Sequence, residues 1–176
     1  MGDPRIQGLV VADLVRELKA IGEDGFRLRY GHPFLVLVFS PPRQDFDEDE
    51  STVQTELASL VEVDTGDAGG LNKLVIPLSP TGRGRTRQKL VAGRLASCDI
   101  IIRESKVSRE HAAFFERGGK WFVEDLRSSN GTRVNGKRLA SGKPVRLKSG
   151  DMVAIWRFMF QFVEFEPFCA LLRMKM

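Results

Sequence analysis

Gly93 to Gly136 reads GRLASCDIIIRESKVSREHAAFFERGGKWFVEDLRSSNGTRVNG, and this stretch decides the fold. Four polar, turn-bearing clusters punctuate it: Gly93-Arg94, Ser108-Arg109-Glu110-His111, Ser128-Ser129-Asn130-Gly131 and Asn135-Gly136. Between them lie short apolar runs, Ile100 to Ile102, Ala112 to Phe115 and Trp121 to Val123, with the length and composition of strands. The polar clusters therefore fall on loops, where a rigid sheet can hold side chains for binding. Gly118-Gly119, Asn130-Gly131 and Asn135-Gly136 signal hairpin turns, because positive φ is cheapest for Gly and tolerable for Asn.

The same texture extends outward. Leu74 to Leu78, Leu90 to Gly93, Ile100 to Arg103, His111 to Glu116, Trp121 to Asp125, Val145 to Leu147, Met152 to Trp156 and Phe158 to Val163 predict strands. Many short strands without intervening helices argue for a β-sandwich over residues 71–166. The tail, 167–176, reads as a short helix or a frayed end. Upstream, residues 8–21 predict an amphipathic helix, with Val10, Leu14, Leu18 and Ile21 at helical spacing and Gly22 placed to end it. Residues 26–39 predict two strands: Phe26 to Tyr30 alternates apolar and basic residues, Gly31-His32-Pro33 breaks the chain, and FLVLVF follows from Phe34 to Phe39. Residues 41–52 are Pro-rich and then acidic, the mark of an exposed mobile loop. Val53 to Val63 fits either a helix or a strand, and Thr65 to Gly70 is the candidate linker. Residues 1–70 are thus expected to form an acidic N-terminal α/β segment before the sandwich.

Gly93-Arg94, then Ser108-x-x-His111, then Asp125-x-x-Ser128-x-Asn130-Gly131-Thr132, then Val134-Asn135-Gly136 resembles the forkhead-associated (FHA) domain, a phosphothreonine-binding module. The resemblance covers roughly residues 72 to 165. It implies a mainly β fold, a sandwich of two twisted antiparallel sheets with binding loops at one end. It implies no catalysis and no cofactor, and a phosphothreonine-containing partner, either a Ser/Thr kinase or its substrate. By resemblance, Arg94, Ser108 and Ser129 line the phosphate pocket, Arg109 adds a backbone or side-chain contact, and Asn130 binds the ligand's main chain. The residue types suit a phosphate monoester, which carries about −1.5 to −2 charges and three acceptor oxygens. The Arg94 fork donates two parallel bonds and keeps its charge, two serines offer short hydroxyl donors, and an amide supplies both a donor and an acceptor. Gly93, His111, Gly131, Asn135 and Gly136 are expected to support these loops, and Asp125 to satisfy backbone donors. Lys106 is a candidate for reading an acidic residue on the carboxyl side of the phosphothreonine. One departure stands out: where the family usually has a glycine at the end of the strand after Gly150-Asp151, this chain has Trp156-Arg157.

At 176 residues and 42% hydrophobic, the chain can bury a substantial core. Its longest apolar run is too short to cross a bilayer, and MGDPRIQ lacks a signal pattern and, with Ile6, the myristoylation pattern. Cys98 and Cys169 provide neither a metal site nor a disulfide framework, so a reducing cytoplasm is expected. The net charge of +4 conceals a division: residues 1–70 hold 14 Asp/Glu against 6 Lys/Arg, and residues 71–176 hold 9 against 21. A −8 segment joined to a +12 module points to an anionic ligand, an intramolecular clasp, or two solvated surfaces of opposite sign. Thr52, Thr55 and Thr65 are candidate phosphorylation sites in the acidic segment, through which copies could self-associate; the plainer expectation is that this segment packs its helix on the sandwich or on a partner.

Other readings compete. Gly131 to Lys137 matches G-x-x-x-x-G-K, but Arg138 stands where a magnesium-holding Ser or Thr belongs, and Gly142 and Pro144 interrupt any following helix. Arg83, Arg85, Arg87 and Lys89 recur with period 2 and would form a basic stripe for nucleic acid, yet no aromatic residue interleaves with them. An FHA-like scaffold binding protein independently of phosphate is a further alternative. No nucleophile or second base pairs with His32 or His111, so an enzyme is not expected.

Overall fold

The computed structural model describes residues 5–40, 73–79 and 89–176. The expected mobile loop at 41–52, Val53 to Val63, the linker from Thr65, the threonines at 52, 55 and 65, and Arg83, Arg85 and Arg87 lie outside the described residues. In chain order the elements are β1 (Leu9–Val10), α1 (Val11–Tyr30), β2 (Phe34–Phe39), β3 (Leu74–Pro77), β4 (Leu90–Gly93), β5 (Ile100–Ile101), β6 (Ala112–Arg117), β7 (Lys120–Asp125), β8 (Thr132–Val134), β9 (Lys137–Arg138), β10 (Val145–Arg146), β11 (Met152–Ile155), β12 (Phe158–Val163) and α2 (Phe165–Arg173). The strands form a seven-stranded sheet, β1-β3-β2-β12-β11-β8-β9, and a five-stranded sheet, β10-β7-β6-β4-β5. Every pairing is antiparallel except β4 with β5.

Period-2 alternation builds the core between the sheets. Phe158, Phe160 and Phe162 of β12 point inward with Leu35, Ile76, Val153 and Ile155, and meet Leu90, Ala92, Ala112, Phe114 and Val123 of the smaller sheet. Full burial of each such aromatic or branched side chain stabilises the fold by about 1.5–3 kcal/mol. The outer face of the larger sheet is covered as well: Phe34, Val75 and Val163 pack against Leu14, Val15, Leu18 and Phe26 of α1 and Phe165, Phe168 and Leu172 of α2. Phe34 stacks on Phe168 with ring centroids 4.0 Å apart. The start of β2 is therefore buried on both faces, which explains its unbroken apolar run.

Three details differ from the sequence reading. The helix expected over 8–21 starts at Val11, since Leu9–Val10 pair with β3, and resumes after Gly22 through Tyr30. Gly22 does break the rod, at φ 71° and ψ 176°. Phe26 to Tyr30 is helical rather than a strand: its alternation also places Phe26 and Tyr30 four apart on one helix face, where their rings meet at 4.9 Å. Phe34–Phe39, expected within the N-terminal segment, is hydrogen-bonded between β3 and β12 inside the larger sheet. The tail is α2, a helix anchored by Phe165, Phe168, Cys169 and Leu172.

At the Trp156-Arg157 turn joining β11 to β12, Trp156 adopts φ 54°, a left-handed conformation that a glycine would take at least cost. Its ring packs on the main core and lies 6.0 Å from Phe158, so packing offsets the backbone cost.

Candidate functional site

Gly93 ends β4 where the chain passes hard against the β5–β6 loop; an added Cβ would lie 2.2 Å from the Arg109 carbonyl oxygen. This close approach lets Arg94 N–H donate to the Ser108 carbonyl at 3.1 Å and Leu95 N–H to that of Arg109 at 3.4 Å. The β7–β8 loop closes from the other side. Ser129 N–H donates to the Ser108 hydroxyl oxygen at 3.0 Å, and Asn130 Nδ2 donates to the Lys106 carbonyl at 2.6 Å. Three loops thus bring Arg94, Ser108, Arg109, Ser129 and Asn130 onto one rim, with Arg94, Arg109 and Ser129 exposed and Ser108 and Asn130 half-buried.

The bonding leaves a particular polarity. Because Ser108 Oγ accepts from a backbone amide, its own hydrogen is the group it can still offer, and a donor suits an anion. One Asn130 amide hydrogen is committed to the Lys106 carbonyl, so its second hydrogen and Oδ1 remain for a ligand. The Arg94 guanidinium forms no ion pair with any described residue.

His111 lies beneath the rim with none of its surface exposed. Nδ1 accepts the Ser108 N–H at 3.0 Å, which places the ring hydrogen on Nε2, 3.1 Å from the Gly131 carbonyl. The neutral ring thus bridges the two loops. Burial lowers its pKa, against the opposing pull of the Gly131 carbonyl and the Asp125 charge. The unfolded chain, with an ordinary histidine pKa of about 6.5, therefore binds the proton more readily than the folded one. Stability contributed here is complete above pH 6.5 and falls as pH drops below it, by up to about 1.4 kcal/mol per pH unit. Thermal melts of the ligand-free protein between pH 7.5 and 5.5 check this: the wild type should lose melting temperature faster over that interval than His111→Gln, which has no proton to gain.

Asp125, 1% exposed, holds the β7–β8 loop. Its carboxylate accepts from Ser128 N–H, the Ser128 hydroxyl, Thr132 Oγ1 at 2.8 Å and Ser141 Oγ at 2.8 Å. Burial raises its pKa, but the hydrogen bonds from Ser128, Ser141 and Thr132 outweigh that and hold it below the usual carboxylate range. The sequence suggested backbone donors; three of the four are hydroxyls. Ser128 Oγ in turn accepts the Gly131 N–H at 3.0 Å, and Gly131 supplies φ 78°. Asn135, at φ 50°, donates from Nδ2 to Asp151 and accepts the Met152 N–H on Oδ1, both at 2.9 Å, tying the β8–β9 turn with Gly136 (φ 80°) to the loop before β11.

Sequence reasoning missed Arg5. Its guanidinium donates to Glu104 at 3.2 Å and to Ser40 Oγ at 2.9 Å and lies 4.9 Å from the Phe158 ring centroid. Glu104 also accepts the Ser105 hydroxyl and the Lys106 N–H, so the N-terminal residues steady the loop that carries Ser108. The partners are 99 positions apart, and no local pattern links them.

Asn135-Gly136 is the hairpin turn between β8 and β9, so the G-x-x-x-x-G-K match leads into a strand instead of a helix. Of the basic stripe, the described member Lys89 pairs with Glu124 and lies over the Phe115 ring. Among the described residues no three His, Cys, Asp or Glu side chains gather to hold a metal, and no helix is long and apolar enough to cross a membrane.

The FHA domain family model matches residues 90–155, from the first residue of β4 to the last of β11. The oxoglutarate dehydrogenase inhibitor of Corynebacterium diphtheriae is 38% identical over 98 residues, 54% of this chain and 66% of that protein. The transcriptional regulatory protein EmbR of Mycobacterium tuberculosis is 38% identical over 84 residues, 47% of this chain. The chain spans only about 21% of the length of EmbR. The solved structure of Mycobacterium tuberculosis EmbR in complex with a low-affinity phosphopeptide shares 26% identity at a TM-score of 0.42, covering 69% of this chain and 32% of that one. Residues 90–155 of this chain are a forkhead-associated (FHA) domain.

Proposed function

We infer that this protein binds a phosphothreonine-containing segment of a partner in Ser/Thr kinase signalling and performs no chemistry on it. The observation that supports this reading is the double use of Ser108: its carbonyl takes the Arg94 N–H and its hydroxyl oxygen takes the Ser129 N–H, so the backbones of Arg94, Ser108 and Ser129 are tied together where three loops meet. Arg94, Ser108 and Ser129 hold the phosphate, Asn130 holds the ligand main chain through its remaining amide groups, and Arg109 adds positive charge beside them. His111 takes no part in proton transfer, because both ring nitrogens are engaged in joining the loops. Charged hydrogen bonds contribute roughly 1.5–3 kcal/mol each. Four of them, two from the Arg94 fork and one from each serine, total about 6–12 kcal/mol, and the cost of ordering a flexible peptide brings this down to roughly micromolar affinity. The partner is a Ser/Thr kinase or one of its substrates, and the binding takes place in the cytoplasm.

Titration of the full chain with an oriented phosphothreonine peptide library, beside the same library unphosphorylated and with phosphoserine, tests the reading. Micromolar binding of phosphothreonine peptides, at least tenfold weaker for phosphoserine and lost without phosphate, is expected. Equal binding of all three libraries would refute it. Steep loss of affinity with salt, indifferent to phosphorylation, would instead indicate nucleic-acid binding.

A further inference from the structure

Arg127 holds φ at 58°, and beside it only Asn135 and Trp156 among the described non-glycine residues take positive φ. The other two are accounted for by hairpin turns, one completed by Gly136 and one secured by a packed indole. Arg127 belongs to neither. It stands between Leu126, whose N–H donates to the His111 carbonyl at 2.9 Å, and Ser128, whose N–H donates to Asp125 at 3.1 Å. Both neighbours are fixed, so the dihedral between them is imposed on whatever residue sits there. Glycine would take it without strain, whereas a residue with a Cβ does not. Strain of this kind, kept at a binding loop, points to a use for the side chain.

The surroundings indicate the use. The β4–β5, β5–β6 and β7–β8 loops together carry Arg94, Arg103, Lys106, Arg109 and Arg127 against Asp99, Glu104 and Glu110. Asp99 is occupied by the Val91 N–H at 2.9 Å, and Glu104 is paired with Arg5. None of the five cations has an ion pair among the described residues, and Arg127 is exposed. With Glu104 offset by Arg5, the five cations stand against Asp99 and Glu110, a net of about +3, of which one phosphate dianion balances about two. The three loops therefore retain about one positive charge for a second anionic group. Arg127 is two residues from Ser129, a separation of at most about 7 Å along the chain. An extended ligand advances by about 3.3 Å per residue.

We propose that Arg127 is a second anion contact. The rim takes a phosphothreonine segment bearing a further anionic group, a carboxylate or a second phosphate, within about three residues of the phosphothreonine, and Arg127 reads that group. The inference rests on the phosphothreonine reading of the same rim.

The test is fluorescence anisotropy on the full chain with three probes: a phosphothreonine peptide with neutral flanks, the same peptide with Asp scanned through positions −3 to +3, and the same peptide with a second phosphothreonine scanned likewise. The wild type should prefer at least one anionic peptide by about tenfold, the size of one charged hydrogen bond. Arg127→Gly should erase that preference while keeping the neutral peptide's affinity within about twofold, and should raise the melting temperature by about 2–4 °C through relief of the left-handed strain. Arg127→Lys keeps the charge and the strain, and should retain most of the preference. A gain confined to the doubly phosphorylated series assigns the second group as phosphate; a gain in the Asp series assigns a carboxylate. A wild type that binds the neutral phosphopeptide and shows no preference at any position, or a preference that survives Arg127→Gly, overturns this proposal alone. Failure to bind any phosphopeptide would overturn the underlying reading too.

Discussion

Arg94→Ala should lower the affinity for a phosphothreonine peptide by about a hundredfold or more and leave the melting temperature nearly unchanged. Two charged hydrogen bonds from one guanidinium are worth about 3 kcal/mol even at the low end of their range, and each 1.4 kcal/mol is a factor of ten. The fold draws on the backbone of this residue through its N–H on the Ser108 carbonyl, while its side chain is exposed and pairs with no described carboxylate. Truncation should therefore remove the proposed phosphate contacts without disturbing the loop. Arg94→Lys keeps a charge but loses the planar fork, and should recover only part of the affinity. Calorimetric titration of the three proteins with one peptide measures the series. Wild-type affinity in Arg94→Ala would mean that the phosphate is held elsewhere.

Asp125→Ala should act in the opposite manner, on the fold first. The carboxylate satisfies one backbone amide and three hydroxyls in a buried setting, and its removal leaves these donors facing one another across a cavity. The Ser141 hydroxyl, on the exposed side, can turn to water; Ser128 and Thr132 are buried and cannot. A loss of about 3–5 kcal/mol is expected, measurable by urea denaturation with unchanged m-value. Because the carboxyl pKa is depressed in the folded state, the stabilisation it supplies is present above the unfolded value of about 3.9 and disappears as pH falls through the lower folded value. The variant should accordingly show a shallower decline of stability in acid than the wild type.

How much of this was readable from the sequence depended on whether the governing interactions were local. Phe158, Phe160 and Phe162 announce a half-buried strand by their spacing, and Asn135-Gly136 announces its turn by composition. Phe26 to Tyr30 misleads because five residues alternating in character satisfy a strand and, through Phe26 and Tyr30, a helix equally; the partners that decide are Phe34 and Phe165. The β8–β9 pair is too short and too polar for apolar periodicity to show. At the rim, the residue types and their spacing were visible, since they recur as a family pattern. Arg127's backbone conformation was not, because an arginine gives no local reason to expect a left-handed turn; neighbours bonded to His111 and Asp125 impose it. The Arg5–Glu104 pair was invisible for the plainer reason that distance along the chain carries no trace of contact in space.

The position of Phe34–Phe39 between β3 and β12 bears on how this protein can be cut. A fragment trimmed to residues 90–155 would keep the rim residues yet lose β2, β3 and β12, leaving β11 as a bare edge and Leu90, Phe114 and Val123 facing water. Exposed strand edges and apolar faces of that kind recruit other chains. The segment that recognises a ligand is thus shorter than the segment that can exist alone, and an excised recognition module would precipitate before it could bind.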